Sequence, residues 1–173
     1  MGNDALREMV TYKIFVDPLH PVFLTSNRAC GIMAGMMGKE MKEKRRMTTI
    51  IADTLQADGR VVFAYLYGSF LTESSFRDID VFLFLNTAGE PFQASVSVKE
   101  KLAEAFTKAG LPKVPADLFD VRVINDAPYD FVIDILCKGA LIVDKDPEIR
   151  TDVIERVSNE YRVNFALLDE AYK

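Results

Sequence analysis

The stretch YLYGSFLTESSFRDIDVFLFL, residues 65–85, decides the fold. An apolar run stops at Gly68–Ser69, crosses a short polar loop, and re-enters apolar sequence through Asp78 and Asp80. A strand that served only the core would not carry two carboxylates at its start, because an unpaired charge is costly to bury. This stretch therefore predicts two buried strands whose ends meet at a polar site.

Hydrophobic patterning predicts helices and further strands around this stretch. Residues 61–67 and 78–85 are continuously apolar apart from the aspartates, as expected of strands buried on both faces. Helices are predicted over 39–59, 97–110, 129–139 and 147–172, a third strand over 116–124 and a short strand over 140–144. The pattern predicts an α/β (α+β) fold, with a small mixed central sheet flanked by helices.

The 173 residues are predicted to form one main domain. Residues 1–36 carry no motif and are expected to be a poorly defined N-terminal extension, whereas residues 37–173 form the domain and end in a long helix. The Lys-Arg cluster at 42–46 is interpreted as a solvated helix face, because glutamate interrupts it and the whole chain is acidic.

Composition limits the classes of function. The formal net charge of −5 argues against broad electrostatic capture of nucleic acid. Two cysteines are too few for a disulfide framework, and neither a secretory signal nor an apolar run of bilayer length is found, so a cytoplasmic protein without membrane contact is predicted. The single histidine, His20, excludes zinc sites built on paired imidazoles.

The two aspartates predict a cation site. Residues i and i+2 of a strand project to the same face, so Asp78 and Asp80 point together and repel each other unless a proton or cation intervenes. Mg²⁺ takes one or two carboxylates together with substrate phosphates, which suits this pair. The structural alternative is that Asp78 caps a turn and Asp80 forms an ion pair with Arg77 or Arg122.

A third carboxylate would complete a two-metal site. The candidates are Asp117 and Asp120, which lie on opposite faces of the predicted strand 116–124, and parity alone does not choose between them. Asp117 lies at the start of that strand, which favours it slightly. Gly68 lets the backbone turn and a ligand approach, and Ser69 would present free amides to an anion if it opened a helical turn.

This combination resembles the nucleotidyltransferase superfamily that includes polymerase β. Gly68–Ser69 is followed by eight residues and then by Asp78-Ile79-Asp80 before a β-run, and the order of elements over residues 40–145 is similar to that of the minimal nucleotidyltransferases. The resemblance implies that Gly68 and Ser69 contact the nucleotide's phosphates. It also implies that Asp78, Asp80 and a third aspartate, Asp117 with Asp120 as the alternative, bind two Mg²⁺ ions.

The resemblance also implies an activity and a partner. Minimal members commonly act as antitoxins that transfer AMP from ATP to a HEPN-type ribonuclease toxin, so a protein adenylyltransferase is expected. The rival interpretation is a non-catalytic antitoxin that retains the fold and acts by contact. The loop before Asp78 is two residues shorter than the commonest version, and Phe76–Arg77 replace the usual small polar residues. Base specificity and oligomeric state stay open.

Overall fold

The computed structural model describes residues 31–86, 90–111 and 115–171, and it describes side-chain environments for 41–86, 90–111 and 115–164. The predictions for residues 1–30, including His20 and Cys30, lie outside this part of the chain. The elements in chain order are α1 (Gly31–Ala57), β1 (Val61–Tyr67), α2 (Ser69–Thr72), β2 (Ile79–Leu85), α3 (Pro91–Lys108), a 3₁₀ turn (Ala116–Leu118), β3 (Phe119–Val123), α4 (Tyr129–Lys138), β4 (Ala140–Asp144) and α5 (Pro147–Ala171). Helix α1 spans the predicted boundary between residues 36 and 37, and the two-part division of the chain stays a prediction.

The four strands form one mixed sheet in the order β3–β2–β1–β4. Strand β1 pairs antiparallel with β2 and with β4, whereas β2 and β3 run parallel. The parallel pair needs a crossover, and α3 provides it between β2 and β3. The predicted small mixed sheet flanked by helices is therefore confirmed.

Helices α1 and α3 cover one face of the sheet. Ile51 and Leu55 of α1 are fully buried, as are Leu102 and Phe106 of α3, with Val98 one turn earlier. These residues recur at four-residue steps, which places one side of each helix on the sheet. Against them lie the odd-numbered residues of β2, which begin with Ile79.

Helices α4 and α5 cover the opposite face. Val132 and Ile135 of α4 pack with Val153 and Val157 of α5 against the side of the sheet that carries Phe82. Even-numbered residues of β2 point to this side, because side chains alternate along a strand. Asp80 therefore projects to the face that α4 and α5 cover.

An ion cluster around the buried residue Asp58 lies just before the start of β1. Asp58 is 6% exposed and accepts hydrogen bonds from Arg60 Nη2 at 2.7 Å and from Lys101 Nζ at 2.9 Å. The Arg60 guanidinium, followed by Lys101, holds the pKa of Asp58 well below its usual range against the effect of burial. The cluster ties the α1–β1 turn to α3.

The prediction of a strand over 116–124 is wrong at its start. Residues Ala116–Leu118 form a 3₁₀ turn, and β3 begins at Phe119. The Leu118 amide donates to the Pro115 carbonyl at 3.1 Å, which closes the turn and delays the extended backbone. Asp117 thus lies before the strand, and strand parity does not govern its direction.

No helix within the described residues combines the length and apolar character needed to cross a bilayer.

Candidate active site

Three polar side chains form a row across the sheet where β1 ends and β2 and β3 begin. Tyr67 is the register partner of Asp80 in the antiparallel pair, and Asp80 is the register partner of Asp120 in the parallel pair. Side chains of register partners lie on the same face of a sheet. Two carboxylates on neighbouring strands are thereby brought together from positions forty residues apart in the chain.

Gly68 lies directly against Asp80, the central residue of this row. Its φ of 75° lies in the left-handed region, and a Cβ built there would stand 2.3 Å from Asp80 Oδ2. Only glycine adopts this backbone conformation readily and leaves room for the carboxylate. The sharp turn after β1 therefore places backbone directly beside a carboxylate, which is the geometry expected where a charged ligand meets the chain.

The electrostatics of the row centre on Asp80. Burial, followed by the negative charges of Asp78 and Asp120, raises the pKa of Asp80, while Arg122 opposes the shift. Desolvation and neighbouring anions both disfavour the ionised carboxylate. A bound cation would offset both effects.

The other two carboxylates of the site are held by arginines. Arg77 Nη2 lies 3.3 Å from Asp78 Oδ2, and Arg122 Nη2 lies 2.6 Å from Asp120 Oδ2. Both arginines that the sequence offered as partners of Asp80 therefore pair with other aspartates. Among the described residues, no ion pair includes Asp80, although the sequence offered Arg77 and Arg122 as its partners.

The structure separates the two candidates for the third carboxylate. Asp120 lies on β3 as the register partner of Asp80, whereas Asp117 lies in the 3₁₀ turn that precedes β3. Phe119, between them, is fully buried on the face covered by α1 and α3. The sequence favoured Asp117, whereas the register between β2 and β3 places Asp120 beside Asp80.

Helix α2 follows Gly68 at once and is anchored by a lysine from α1. Lys44 Nζ donates to the Phe70 carbonyl at 2.7 Å and also to the Glu73 carbonyl. The same ammonium group lies 5.3 Å from the Phe70 ring centroid and 5.4 Å from that of Phe76. Lys44 thus satisfies carbonyls at the end of the turn that begins with Ser69, and part of the Lys-Arg cluster is not a solvated face.

The family of the chain follows from the model of the polymerase β nucleotidyltransferases, which matches residues 50–148. This match spans more than half of the chain and includes the whole row with Gly68 and Ser69. The chain belongs to the polymerase β nucleotidyltransferase family. The resemblance predicted from Gly68–Ser69 and Asp78–Asp80 is confirmed at that level.

Two solved toxin–antitoxin structures are similar to this chain to different degrees. A chain from a crystal structure of a toxin–antitoxin with AMP-PNP superimposes with a TM-score of 0.50 at 16% identity, covering 73% of this chain and 98% of that one. A chain from a mutant of the toxin–antitoxin MntA-HpeT gives a TM-score of 0.45 at 10% identity, covering 75% and 98%. No functionally curated protein sequence matches the chain significantly. The first similarity supports the nucleotidyltransferase fold alone.

One group beside the row was missed from the sequence. The Tyr67 hydroxyl donates to Asp134 Oδ2 of α4, and Lys138 Nζ lies 2.5 Å from Asp134 Oδ1. The hydrogen bond to Asp134, and then burial, raises the pKa of Tyr67. Helical spacing shows the neighbours of Asp134 within α4 but not the strand that α4 covers, so this contact could not be predicted from the sequence. Tyr67 thus joins the row to α4.

The carboxylates of the site are of the chemical type that Mg²⁺ prefers, but they do not surround a single point where the ion could bind. Asp78, Asp80 and Asp120 offer the hard carboxylate oxygens that this ion prefers. In the part of the chain with described side chains, no group of three or more His, Cys, Asp or Glu residues is arranged to hold a metal ion. Arg77 and Arg122 engage two of the three carboxylates instead. Exposed ion pairs of this kind are weak, so a cation can compete with them.

Proposed function

We propose that the protein is a Mg²⁺-dependent nucleotidyltransferase that transfers a nucleoside monophosphate, AMP from ATP, to a hydroxyl group of a partner protein in the cytoplasm. Membership in the polymerase β nucleotidyltransferase family supports transferase chemistry. The observation that carries the proposal is the contact geometry at Gly68, whose missing Cβ leaves room for the Asp80 carboxylate beside Asp120. A core-only strand end would not need glycine packed against a carboxylate.

The proposed roles follow the positions of the residues. Asp78, Asp80 and Asp120 hold the cations, with Asp120 preferred to Asp117 because it is the register partner of Asp80. Gly68 and Ser69 approach the phosphates through their backbone, where the turn offers free amides to an anion. When bound, two Mg²⁺ ions would lower the pKa of the acceptor hydroxyl and neutralise the triphosphate and the leaving pyrophosphate.

The proposed reaction balances without a covalent enzyme intermediate. The acceptor oxygen forms a bond to the α-phosphorus of ATP, and the bond from that phosphorus to the α,β-bridging oxygen breaks, so pyrophosphate leaves with the electron pair. The hydroxyl proton passes to a carboxylate of the site, for which we propose Asp120 in addition to its role as a cation ligand. Positioning and charge stabilisation supply most of the acceleration.

The proposed partner is a toxin of the HEPN type. The fold of this chain is similar to that of a chain from a toxin–antitoxin solved with AMP-PNP, which supports both an antitoxin role and an adenine nucleotide. The formal charge of −5 favours a protein acceptor over free RNA.

The test is transfer of label from ATP. Native protein, Mg²⁺, ATP labelled at the α-phosphate and a purified HEPN-type toxin should give a labelled toxin. Asp80→Asn should abolish labelling, whereas Asp53→Asn, which removes the same charge from an exposed position of α1, should leave it intact. Absence of label with every nucleoside triphosphate would contradict the proposal.

A second candidate is a non-catalytic antitoxin that inhibits its partner by contact. The arginine ion pairs at Asp78 and Asp120 favour it, because they leave no ready cation site among the described side chains. Inhibition of the toxin without transfer of label, at equal strength by native protein and Asp80→Asn, would establish this function instead.

A further inference from the structure

Arg122 lies next to Asp120, on the same strand and the same face of the sheet. It follows Asp120 by two residues on β3, so both side chains leave the same face of the sheet. Arg122 Nη2 donates to Asp120 Oδ2 at 2.6 Å. This short, charge-assisted contact occupies a carboxylate oxygen that a cation would need.

The influence of Arg122 extends to the neighbouring strand. Asp80 is the register partner of Asp120, and the positive charge of Arg122 acts on both carboxylates. Arg77, by contrast, is 93% exposed and lies 3.3 Å from Asp78 in the loop before β2. Because Arg122 lies on β3, its backbone position keeps its charge near Asp80 and Asp120.

We propose that Arg122 is an internal counter-ion, which neutralises Asp120 and partly offsets the charge of Asp80 in the cation-free protein and must leave Asp120 when the cation binds. The inference rests on the proposed function, because it takes Asp80 and Asp120 to be cation ligands. A guanidinium stays charged at any physiological pH, so it cannot yield the site by losing a proton and has to move. The Arg122 side chain is 56% exposed and can turn outward into water.

This arrangement makes Arg122 a positioning residue that sets the affinity for the cation. It stabilises Asp80 and Asp120 before the cation binds, and it keeps Asp120 in place on β3. The same charge competes with and repels the incoming ion, so loading should favour a cation that already carries negative triphosphate. Removing Arg122 should therefore strengthen binding of the bare ion.

The test measures Mn²⁺ binding to nucleotide-free, full-length protein by the electron paramagnetic resonance signal of free Mn²⁺. Arg122→Gln should bind Mn²⁺ about two- to fivefold more tightly than native protein, the range set by loss of an exposed ion pair. Arg156→Gln removes an equal charge from an exposed position of α5 and should change the affinity far less. Arg122→Lys keeps the charge without the planar fork and should lie between native protein and Arg122→Gln.

The outcomes separate this inference from the proposed function. Mn²⁺ binding that is lost in Asp80→Asn but equal in native protein, Arg122→Gln and Arg122→Lys would overturn the counter-ion role and leave the cation site intact. An equal gain in Arg156→Gln would also overturn it, because net charge would then explain the effect. Mn²⁺ binding unaffected by Asp80→Asn would remove both proposals. If Arg122→Gln does not fold, the comparison of Arg122→Lys with native protein decides by the same measurement.

Discussion

The site depends, at the scale of single residues, on a close approach between Gly68 and Asp80. Gly68 combines a positive φ with a position where a Cβ would stand 2.3 Å from Asp80 Oδ2. Strain and steric overlap therefore both act against any larger residue. The chain contains controls for each effect, since Gly110 has a φ of 71° but open space where a Cβ would lie, and Gly59 has open space without positive φ.

Gly68→Ala should lose nucleotidyl transfer by at least about tenfold, because the added methyl group displaces the Asp80 carboxylate. It should also lower the free energy of unfolding by about 1–2 kcal/mol, the cost of left-handed backbone for alanine. Transfer of label and chemical denaturation measure the two effects.

Gly110→Ala should show the loss of stability with full transfer, and Gly59→Ala should show neither. Equal activity of Gly68→Ala and Gly110→Ala would mean that contact with Asp80 does not matter for transfer.

Asp80→Asn should stabilise the protein in buffer without divalent cations while abolishing transfer. Burial and the charges of Asp78 and Asp120 raise the pKa of Asp80 above its ordinary value of 3.8, so ionised Asp80 lowers the stability of the folded state at neutral pH. The amide removes that effect, and Tm at pH 7 should rise by about 1–3 °C.

The stability difference between native protein and Asp80→Asn should disappear at low pH. As pH falls below 3.8, Asp80 is protonated in both the folded and the unfolded chain, and the gain from Asp80→Asn should vanish. Asp53→Asn serves as the exposed control and should shift Tm little at either pH. A lower Tm for Asp80→Asn at pH 7 would show that the ionised carboxylate stabilises the fold instead.

Single residues also mark how far sequence reasoning reaches. Gly68, Asp78 and Asp80 stand out locally, because a glycine turn and an alternating acidic pair interrupt apolar strands. Asp120 does not stand out from Asp117, since only the pairing of β2 with β3 places it beside Asp80. Register between strands that are distant in sequence is a tertiary property, and parity within one strand does not contain it.

At the scale of elements, helix α2 is too short to hold its own geometry. It spans four residues, Ser69–Thr72, and isolated helical turns are unstable in water. Packing of Phe70 against Phe76, with ring centroids 4.9 Å apart, and capping by Lys44 hold it in place. Phe76, unusual for the loop before Asp78, thus has a structural role in the shortened loop.

Lys44→Met should loosen this helix and weaken nucleotide binding through Ser69. The methionine keeps an apolar stem but loses the bonds to the Phe70 and Glu73 carbonyls and the charge over two rings. The free energy of unfolding should fall by about 1–2 kcal/mol, and KM for ATP should rise more than kcat falls. Denaturant unfolding and transfer kinetics measure these quantities.

Lys42→Met removes an equal charge from an exposed position of α1 and is the matched control. If Lys42→Met and Lys44→Met had the same KM for ATP, the anchoring of α2 by Lys44 would have no effect on the nucleotide.

The elements themselves were largely predictable, with instructive exceptions. The apolar steps through Ile51 and Leu55, and through Val98 and Leu102, predict the buried faces of α1 and α3 correctly. Both helices begin earlier than predicted, at Gly31 and Pro91 instead of residues 39 and 97. Lys44 and Arg46 were expected to be solvated, but they donate to carbonyls of the α2 segment and of Ala109. Charge pattern along one helix cannot show contacts to segments that fold against it from elsewhere in the chain.

At the scale of the whole molecule, the mixed sheet brings the acidic residues together. Antiparallel pairing sets Tyr67 beside Asp80, and parallel pairing sets Asp80 beside Asp120. Helix α3 makes the parallel pairing of β2 with β3 possible, because it returns the chain to the end of the sheet where β2 begins. The face that carries this row is covered by α4 and α5, which adds Asp134 and Lys138 to its border.

The fold class could be predicted from the alternation of helical and apolar patterns. Which residues come together at the site depends on the topology of the sheet and helices. In the sequence, Tyr67 belongs to a strand predicted to be buried, and Asp134 belongs to a predicted helix with nothing that marks it as a partner of Tyr67. Their hydrogen bond arises because α4 crosses the end of β1. The assembled molecule therefore has a larger polar site than its local motifs predict.

The most direct test of the central claim, that Asp80 and Asp120 share a cation, is an anomalous difference map. Crystals of the protein with Mn²⁺ and a non-hydrolysable ATP analogue should show a peak within about 2.5 Å of carboxylate oxygens of both residues, with Arg122 turned away from Asp120. A strong peak that touches neither Asp80 nor Asp120, or one held by Asp117 in place of Asp120, would contradict the account.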